Sequence, residues 1–260
     1  MSTIERYAFM LTLLAGLATL LGSLIALFAK RTNTKLLAGS LGFSAGVMIY
    51  VAMAELFVKS KDYLVAANGE FWGSCGAALA FFGGMAFIGL IDYVVPTDEG
   101  DIGSVEENKK GSLKKMSILT TAAIAIHNFP EGMVTFASTL SDIKLGAMIA
   151  LAIAIHNIPE GIATALPVFF ASGDRKKAFL LSAVSGLTEP IGAILGYTIL
   201  KPFLDDRMIG ILFGAIAGIM MFISLEELLP MAREYEKSKL TILTVIGGMA
   251  VMAASLIMFL

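Results

Sequence analysis

The sequence predicts an all-α, polytopic membrane protein with eight transmembrane helices and inverted internal repeats. Three observations carry that prediction. Hydrophobic residues make up 57% of the 260-residue chain and charged residues only 15%, against roughly 25% charged in soluble domains; the mean hydropathy is +0.82. The apolar residues gather in eight runs, at about 7–29, 36–58, 71–95, 117–140, 145–171, 178–200, 208–231 and 239–260. Each is close to the ~20 residues that a spanning helix needs, and each is continuous rather than alternating, which excludes a closed β-barrel. Finally, one string occurs twice with a single change, as IAIHNFPEG at Ile124–Gly132 and IAIHNIPEG at Ile153–Gly161.

In chain order, the first run lacks a basic leader and a small-residue cleavage site, so it is read as a retained span. The second carries Gly42 and Gly46 at the GxxxG spacing of close helix contacts, as do Gly192/Gly196 and Gly214/Gly218 further on. The third holds the single cysteine, Cys75, among small residues, so neither an intrachain disulfide nor a thiolate metal site is available. Residues 96–116 form the one long connection, polar and of mixed charge with Gly100, Gly103 and Gly111, and are expected to be a mobile cytoplasmic loop. The chain 1–260 otherwise reads as one transmembrane domain.

Lysine and arginine set the expected orientation. Lys30, Arg31 and Lys35, the lysines of 96–116, Arg175–Lys177, and Arg233, Lys237 and Lys239 fall on one side. The other side has only Arg6, Lys59, Lys61, Lys144, Lys201 and Arg207. The richer side is assigned to the cytoplasm, which leaves both termini outside it. The basic pairs Lys109-Lys110 and Lys114-Lys115 are short and juxtamembrane, so no nucleic-acid partner is expected; the lipid bilayer is.

A second repeat accompanies the first. Ala45–Leu56, AGVMIYVAMAEL, matches Ala217–Leu228, AGIMMFISLEEL, pairing Gly46 with Gly218, Met48 with Met220 and Glu55 with Glu227. These spans are predicted to run in opposite directions, as are the two spans of the first repeat. Both pairs therefore fit one pseudo-two-fold axis in the membrane plane, a recurring transporter design with its site near the midplane.

His127 and His156, the only histidines, sit four residues before Glu131 and Glu160. Residues four apart share a helix face, so each pair points at one spot. Asn128 and Asn157 lie about 100° further round and reach an adjacent spot. Pro130 and Pro159 each remove an amide donor and displace the carbonyl four residues back, at Ile126 and Ile155. Both histidines fall about ten residues into their spans, roughly 15 Å deep, near the middle of a ~30 Å apolar layer. Span six brings Glu189-Pro190 to the same depth, with Ser185 one turn before, and no Lys or Arg lies there. Intramembrane ionisable groups mark function by default. Imidazole and carboxylate together suit Zn²⁺, Fe²⁺, Mn²⁺ or Co²⁺. Met48 and Met53 are auxiliary candidates. Glu55, near the expected outer end of span two, and Glu226 and Glu227, near the inner end of span seven, are candidates for ion entrance and exit.

The same groups would also serve a proton relay in a proton- or cation-coupled transporter of an organic solute. A membrane hydrolase is disfavoured, since HExxH is absent and no Ser or Cys motif has a base beside it. GxxxxGK[ST] is absent as well, so any transport is expected to run on gradients.

HNFPEG and HNIPEG on adjacent spans, with the Glu-Pro of span six, resemble the ZIP family of divalent metal transporters, in its bacterial broad-specificity zinc-uptake branch. The resemblance covers the whole chain. It implies a cell-membrane importer carrying Zn²⁺ as substrate, with Fe²⁺, Mn²⁺, Co²⁺ and Cd²⁺ as further candidates, no organic cofactor, and a homodimer as a candidate assembly. It also implies a binuclear centre: His127, Glu131, His156 and Glu160 around one ion, Asn128, Asn157 and Glu189 around the other, with Glu131 and Glu160 bridging. One departure is plain. The family's long loop is often histidine-rich, and 96–116 contains no histidine, so a metal-sensing role is not expected there, although its acidic residues could bind metal weakly.

Overall fold

The computed structural model describes residues 2–30, 33–94, 105–141, 143–200, 205–236 and 239–257. Among them the regular structure is entirely helical: α1 (Thr3–Phe28), α2 (Thr34–Val51), α3 (Phe57–Asn68), α4 (Glu70–Val94), α5 (Val105–Ser141), α6 (Ile143–Ser172), α7 (Arg175–Leu195), α8 (Asp206–Phe222), α9 (Leu229–Tyr235) and α10 (Leu240–Ile257). Three π-helical stretches, Ala52–Leu56, Gly196–Leu200 and Ile223–Leu228, extend α2, α7 and α8 without a break.

Local chemistry fixes several boundaries. Asn33, Asp174 and Asp205 each accept a backbone N–H three residues on, at 3.0, 3.0 and 2.8 Å, capping α2, α7 and α8. Gly69 and Gly173, at φ 81° and 75°, end α3 and α6 in the left-handed region that glycine enters freely.

Seven described segments are long and apolar enough to cross a membrane. The remaining predicted span, 117–140, lies within α5, whose first turns are charged and whose middle carries the His-Asn-Pro-Glu string. One sequence expectation needs correction, and one helix extends beyond its predicted span. Residues 105–116, expected as loop, are the first turns of α5; residues 96–104 lie outside the described residues. The helix of span two continues past residue 58, as one 35-residue segment, Thr34–Asn68. That is roughly 50 Å at 1.5 Å per residue, more than the apolar layer requires, and its far end carries Lys59, Lys61 and Asp62.

The helices pack as two groups. In one, α1 packs on α6 and α7, and α5 on α6 and α7; in the other, α2 packs on α10, and α8 on α3 and α4. Close approaches between helices relate the elements in pairs. A β-carbon at Gly46 would strike the Val245 carbonyl, and one at Gly218 the Phe81 carbonyl. Gly84 meets Ala215 as Gly248 meets Phe43. Gly22 meets Ile158 as Gly192 meets Phe129. Gly16 and Gly186 meet each other's carbonyls, so that crossing maps onto itself and marks the axis. The operation exchanges α1 with α7, α2 with α8, α4 with α10 and α5 with α6. Direction follows too: Ser60, in α3 beyond α2, donates to the carbonyl of Gly210 at the start of α8 (2.7 Å), while α9 beyond α8 packs on α2. The copies are therefore antiparallel. Even the helix irregularities correspond, since Ala52–Leu56 and Ile223–Leu228 occupy equivalent places and hold Glu55 and Glu227.

Small residues set these distances, because without a hydrophobic drive between helices in lipid, close van der Waals packing holds them together. Gly46→Ala and Gly218→Ala should each destabilise the protein by about 1–3 kcal/mol through overpacking. Gly83→Ala and Gly247→Ala, also a symmetry pair but with nothing within 4 Å, should be neutral or stabilising by up to ~1 kcal/mol. Thermal unfolding of the four variants in one detergent checks the contrast.

Candidate metal centre

The HN-x-PEG strings of α5 and α6 face each other inside the first helix group. His127 Nε2 lies 3.1 Å from Glu131 Oε1 on its own helix and 3.3 Å from Glu160 Oε1 on α6. His156 Nε2 lies 3.0 Å from Glu131 Oε1 on α5. The imidazole centroids are 6.1 Å apart. One ligand atom each from His127, His156 and Glu160 falls within 4.8 Å of the others. All four side chains are buried, with Glu131 the most exposed at 5%. The i, i+4 spacing brings His127 onto Glu131 on one helix, while the other contacts, His127 with Glu160 and His156 with Glu131, cross between the helices.

Both asparagines are anchored through their amide nitrogens. Asn128 Nδ2 donates to the Ser185 carbonyl of α7 at 3.1 Å, and Asn157 Nδ2 to the Ala15 carbonyl of α1 at 2.9 Å. These two bonds are symmetry mates. The anchoring leaves each Oδ1 buried without a hydrogen-bond partner. Asn157 Nδ2 also donates to Glu189 Oε1, and Glu189 is fully buried with its second oxygen unpartnered. Glu189 reaches this depth because α5 and α7 touch there, Gly132 lying against the Glu189 carbonyl.

The remaining candidates are placed unevenly. Ser185 contributes through its carbonyl; its hydroxyl donates to the Ser182 carbonyl at 2.9 Å. Met48 is buried and, with its mate Met220, flanks His127 around a gap too narrow for water. Met53 is 44% exposed on the outer surface and is not at the centre. Glu55 lies three residues before the predicted end of span two, but the helix continues to Asn68, thirteen residues on, and Glu55 forms an ion pair with Lys59 at 2.9 Å. Glu226 is exposed and Glu227 half-buried.

Chemically, three carboxylates and two imidazoles share one buried region, and no Lys or Arg is among the described buried residues. Unpartnered oxygens of Glu131, Glu160, Glu189, Asn128 and Asn157 face a site that lacks a protein cation. Nitrogen and oxygen donors without thiolate form a set suited to a borderline divalent cation.

The family model described as ZIP zinc transporter matches residues 97–256. The chain belongs to the ZIP zinc transporter family. Relatives of near-equal length agree. A protein named zinc transporter ZupT from Oceanobacillus iheyensis is 55% identical over 260 residues, covering 96% of this chain and 97% of the relative. Proteins of the same name from Clostridium perfringens and Streptococcus mutans are 53% and 51% identical, each alignment covering 97% of this chain and 95% and 97% of the relative. As a member of the ZIP family the chain is a transporter rather than an enzyme.

The sequence reading of this ZIP protein overlooked α1. Gly16, Thr19 and Gly22 line the crossing with α6 and α7, and Thr19 occupies the place that symmetry pairs with Glu189. A signal existed: GLATLLG at 16–22 parallels GLTEPIG at 186–192. Glycine and threonine are ordinary in spanning helices, so the resemblance is easily passed over.

The anchoring pattern generates a stability prediction. Asn157→Ala removes two hydrogen bonds, one of them to a buried carboxylate, whereas Asn128→Ala removes one to a neutral carbonyl. Asn157→Ala should cost about 2–3 kcal/mol and Asn128→Ala about 1 kcal/mol. In a Glu189→Ala background the difference should vanish. Thermal unfolding in the presence of chelator measures both effects.

Proposed function

We propose that this chain carries zinc, and with it other divalent cations such as Fe²⁺, Mn²⁺, Co²⁺ or Cd²⁺, inward across the cell membrane through the centre on α5, α6 and α7. The observation that supports this reading most is the buried set of three carboxylates and two imidazoles with no buried Lys or Arg among the described residues. Taking such charge out of water is costly unless a counter-charge is present, and a divalent cation is that counter-charge. The relatives' name, zinc transporter, makes zinc the first substrate to test.

In the binuclear form of the reading, His127, Glu131, His156 and Glu160 hold one ion, and Asn128, Asn157 and Glu189 hold the second, with Glu131 and Glu160 shared. Glu131 Oε1 already stands between both imidazoles, and the asparagine Oδ1 atoms are held ready by their amide anchors. Met48 beside His127 is an auxiliary thioether of the first position. Glu226 and Glu227 belong to release on the cytoplasmic side. Glu55, tied to Lys59, has less free charge to gather ions than the sequence alone implies.

Uptake of radiolabelled zinc into proteoliposomes is the direct test. Glu131→Ala and Glu160→Ala should each lower the rate by at least ~100-fold, because each carboxylate serves two ions and its loss leaves the other charges unbalanced. Near-normal uptake in either removes the bridging role. Elemental analysis of the purified variants then separates the positions. His127→Ala and His156→Ala should lose one ion, and Asn128→Ala, Asn157→Ala and Glu189→Ala the other; equal loss throughout favours a single shared site. In the same uptake curves, Glu226→Gln with Glu227→Gln should lower the maximal rate.

The pH dependence has a definite sign. Ligands must be deprotonated to bind metal, and free imidazole titrates near pH ~6.5. Zinc binding should therefore be full above that range and weaken as the pH falls toward ~5. A rise in uptake under an inward proton gradient, with equilibrium binding still falling, would identify coupling to protons instead of simple competition.

A further inference from the structure

The pseudo-two-fold axis relates the backbone contacts around the centre, and one pair of its mates differs sharply in chemistry. Asn157 binds the Ala15 carbonyl as Asn128 binds the Ser185 carbonyl. Gly132 lies against the Glu189 carbonyl as Gly161 lies against the Thr19 carbonyl. Thr19 on α1 and Glu189 on α7 are thus mates, yet one is a hydroxyl and the other a carboxylate.

Thr19 is fully buried and its Oγ1 has no hydrogen-bond partner. Threonines in this protein commonly donate to the carbonyl four residues back: Thr12 to Ala8 at 2.9 Å, Thr139 to Thr135 at 2.7 Å and Thr164 to Glu160 at 3.0 Å. For Thr19 that carbonyl is Ala15, which accepts the Asn157 amide instead. Thr120 and Thr135 are also buried without a partner, but neither is a mate of a centre residue. Placement comes from the neighbouring helix: a β-carbon on Gly186 would sit 3.1 Å from Thr19 Oγ1. The Thr19 side chain therefore packs on α7 at Gly186, next in sequence to Ser185, the residue that anchors Asn128. The symmetry mate of the Glu189–Asn157 contact is the pair Thr19 and Asn128; Thr19 Oγ1 and Asn128 Oδ1 are both unpartnered, so they do not bond each other and both remain available to a ligand.

We infer that the Thr19 hydroxyl is a further substrate-contacting group, the neutral counterpart of Glu189, which completes the Asn128 side of the cation site. The inference rests on the reading of this centre as a divalent-cation site and adds α1 to it. A hydroxyl and an amide oxygen are neutral hard donors, able to meet an ion directly or through a water it retains. An unbonded buried hydroxyl is costly to the fold, so removing it is not expected to lower stability.

That cost makes the test decisive. Zinc alone is the probe, with uptake into proteoliposomes, bound zinc and thermal unfolding measured on the full chain. Thr19→Val should melt at or above the wild-type temperature, yet raise the KM for zinc about tenfold, the loss of one hydrogen-bond-strength contact, with kcat within about twofold. Thr19→Ser, which keeps the hydroxyl, should stay within about twofold of wild type in KM on the same scale. Should valine not fold at the crossing, Thr19→Ala takes its place against serine. A KM unchanged in the hydroxyl-free variant overturns the inference. So does a serine variant as impaired as valine, because the effect would then follow packing at the crossing. If the wild-type chain takes up and binds no zinc, the transport reading falls and this inference with it; wild-type uptake with an unaffected Thr19→Val overturns this inference alone.

Discussion

Three carboxylates buried inside a membrane-spanning bundle, with no buried Lys or Arg among the described residues, are the constraint on which the rest of this structure depends. In a low-dielectric interior such a cluster is tolerated only if its oxygens meet hydrogen-bond donors or a cation. The protein supplies part of this itself. Both histidines place Nε2 against Glu131, and Asn157 donates to Glu189. The glycine contacts are subordinate to the same need. Gly132 and Gly161 let α5 and α6 press onto α7 and α1 at the depth of the cluster, and any side chain there would push the ligands apart. Packing and chemistry are therefore one requirement at this point of the fold.

Symmetry supplies the geometry, and its breaks carry information. Between α5 and α8, Pro130, Met133, Val134, Ala137, Ile209, Leu212 and Phe213 line an apolar cavity of about 90 Å³. The matching junction between α2 and α6 is closed: Leu37, Leu41, Ala163 and Leu166 are fully buried, and the Ser44 hydroxyl bonds the Pro159 carbonyl at 2.8 Å. One half-turn of the pseudo-dyad thus finds a gap and the other a seal. The cavity has almost no polar lining, so a bare ion would gain nothing from entering it. It marks slack between the helix groups rather than a path for the ion.

Much of this was legible in the residues. The eight runs, the doubled HN-x-PEG string, the level placement of Glu189 and the Ala45/Ala217 repeat all correspond to features of the structure. What escaped has physical causes. Hydropathy marks where lipid ends, not where a helix ends, so α3 beyond residue 58 and the start of α5 were read as loop. Their Lys, Glu and Ala residues continue a helix readily outside the apolar layer. The asparagine anchors were not foreseeable, because backbone carbonyls carry no sequence signature. The pairing of Glu55 with Lys59 was visible as an i, i+4 spacing, but only if the helix was known to continue past it. Thr19 was missed because a hydroxyl among small residues looks like packing until symmetry sets it opposite a carboxylate.

The exchange of a carboxylate for a hydroxyl at that pair has an electrostatic meaning in a transporter. On the binuclear reading, two divalent ions bring four positive charges to three carboxylates. A glutamate at position 19 would complete neutralisation and deepen the well. Passage, however, requires that an ion be held strongly enough to shed water and weakly enough to leave. A neutral oxygen at Thr19 satisfies coordination while leaving one positive charge unmet in a low-dielectric site. That residual repulsion falls on the ion beside Asn128, the one furthest from both imidazoles in the sharing of ligands, and lowers the barrier to its departure. On that reading, the exchange of a carboxylate for a hydroxyl between Thr19 and Glu189 would favour passage of the ion over its retention.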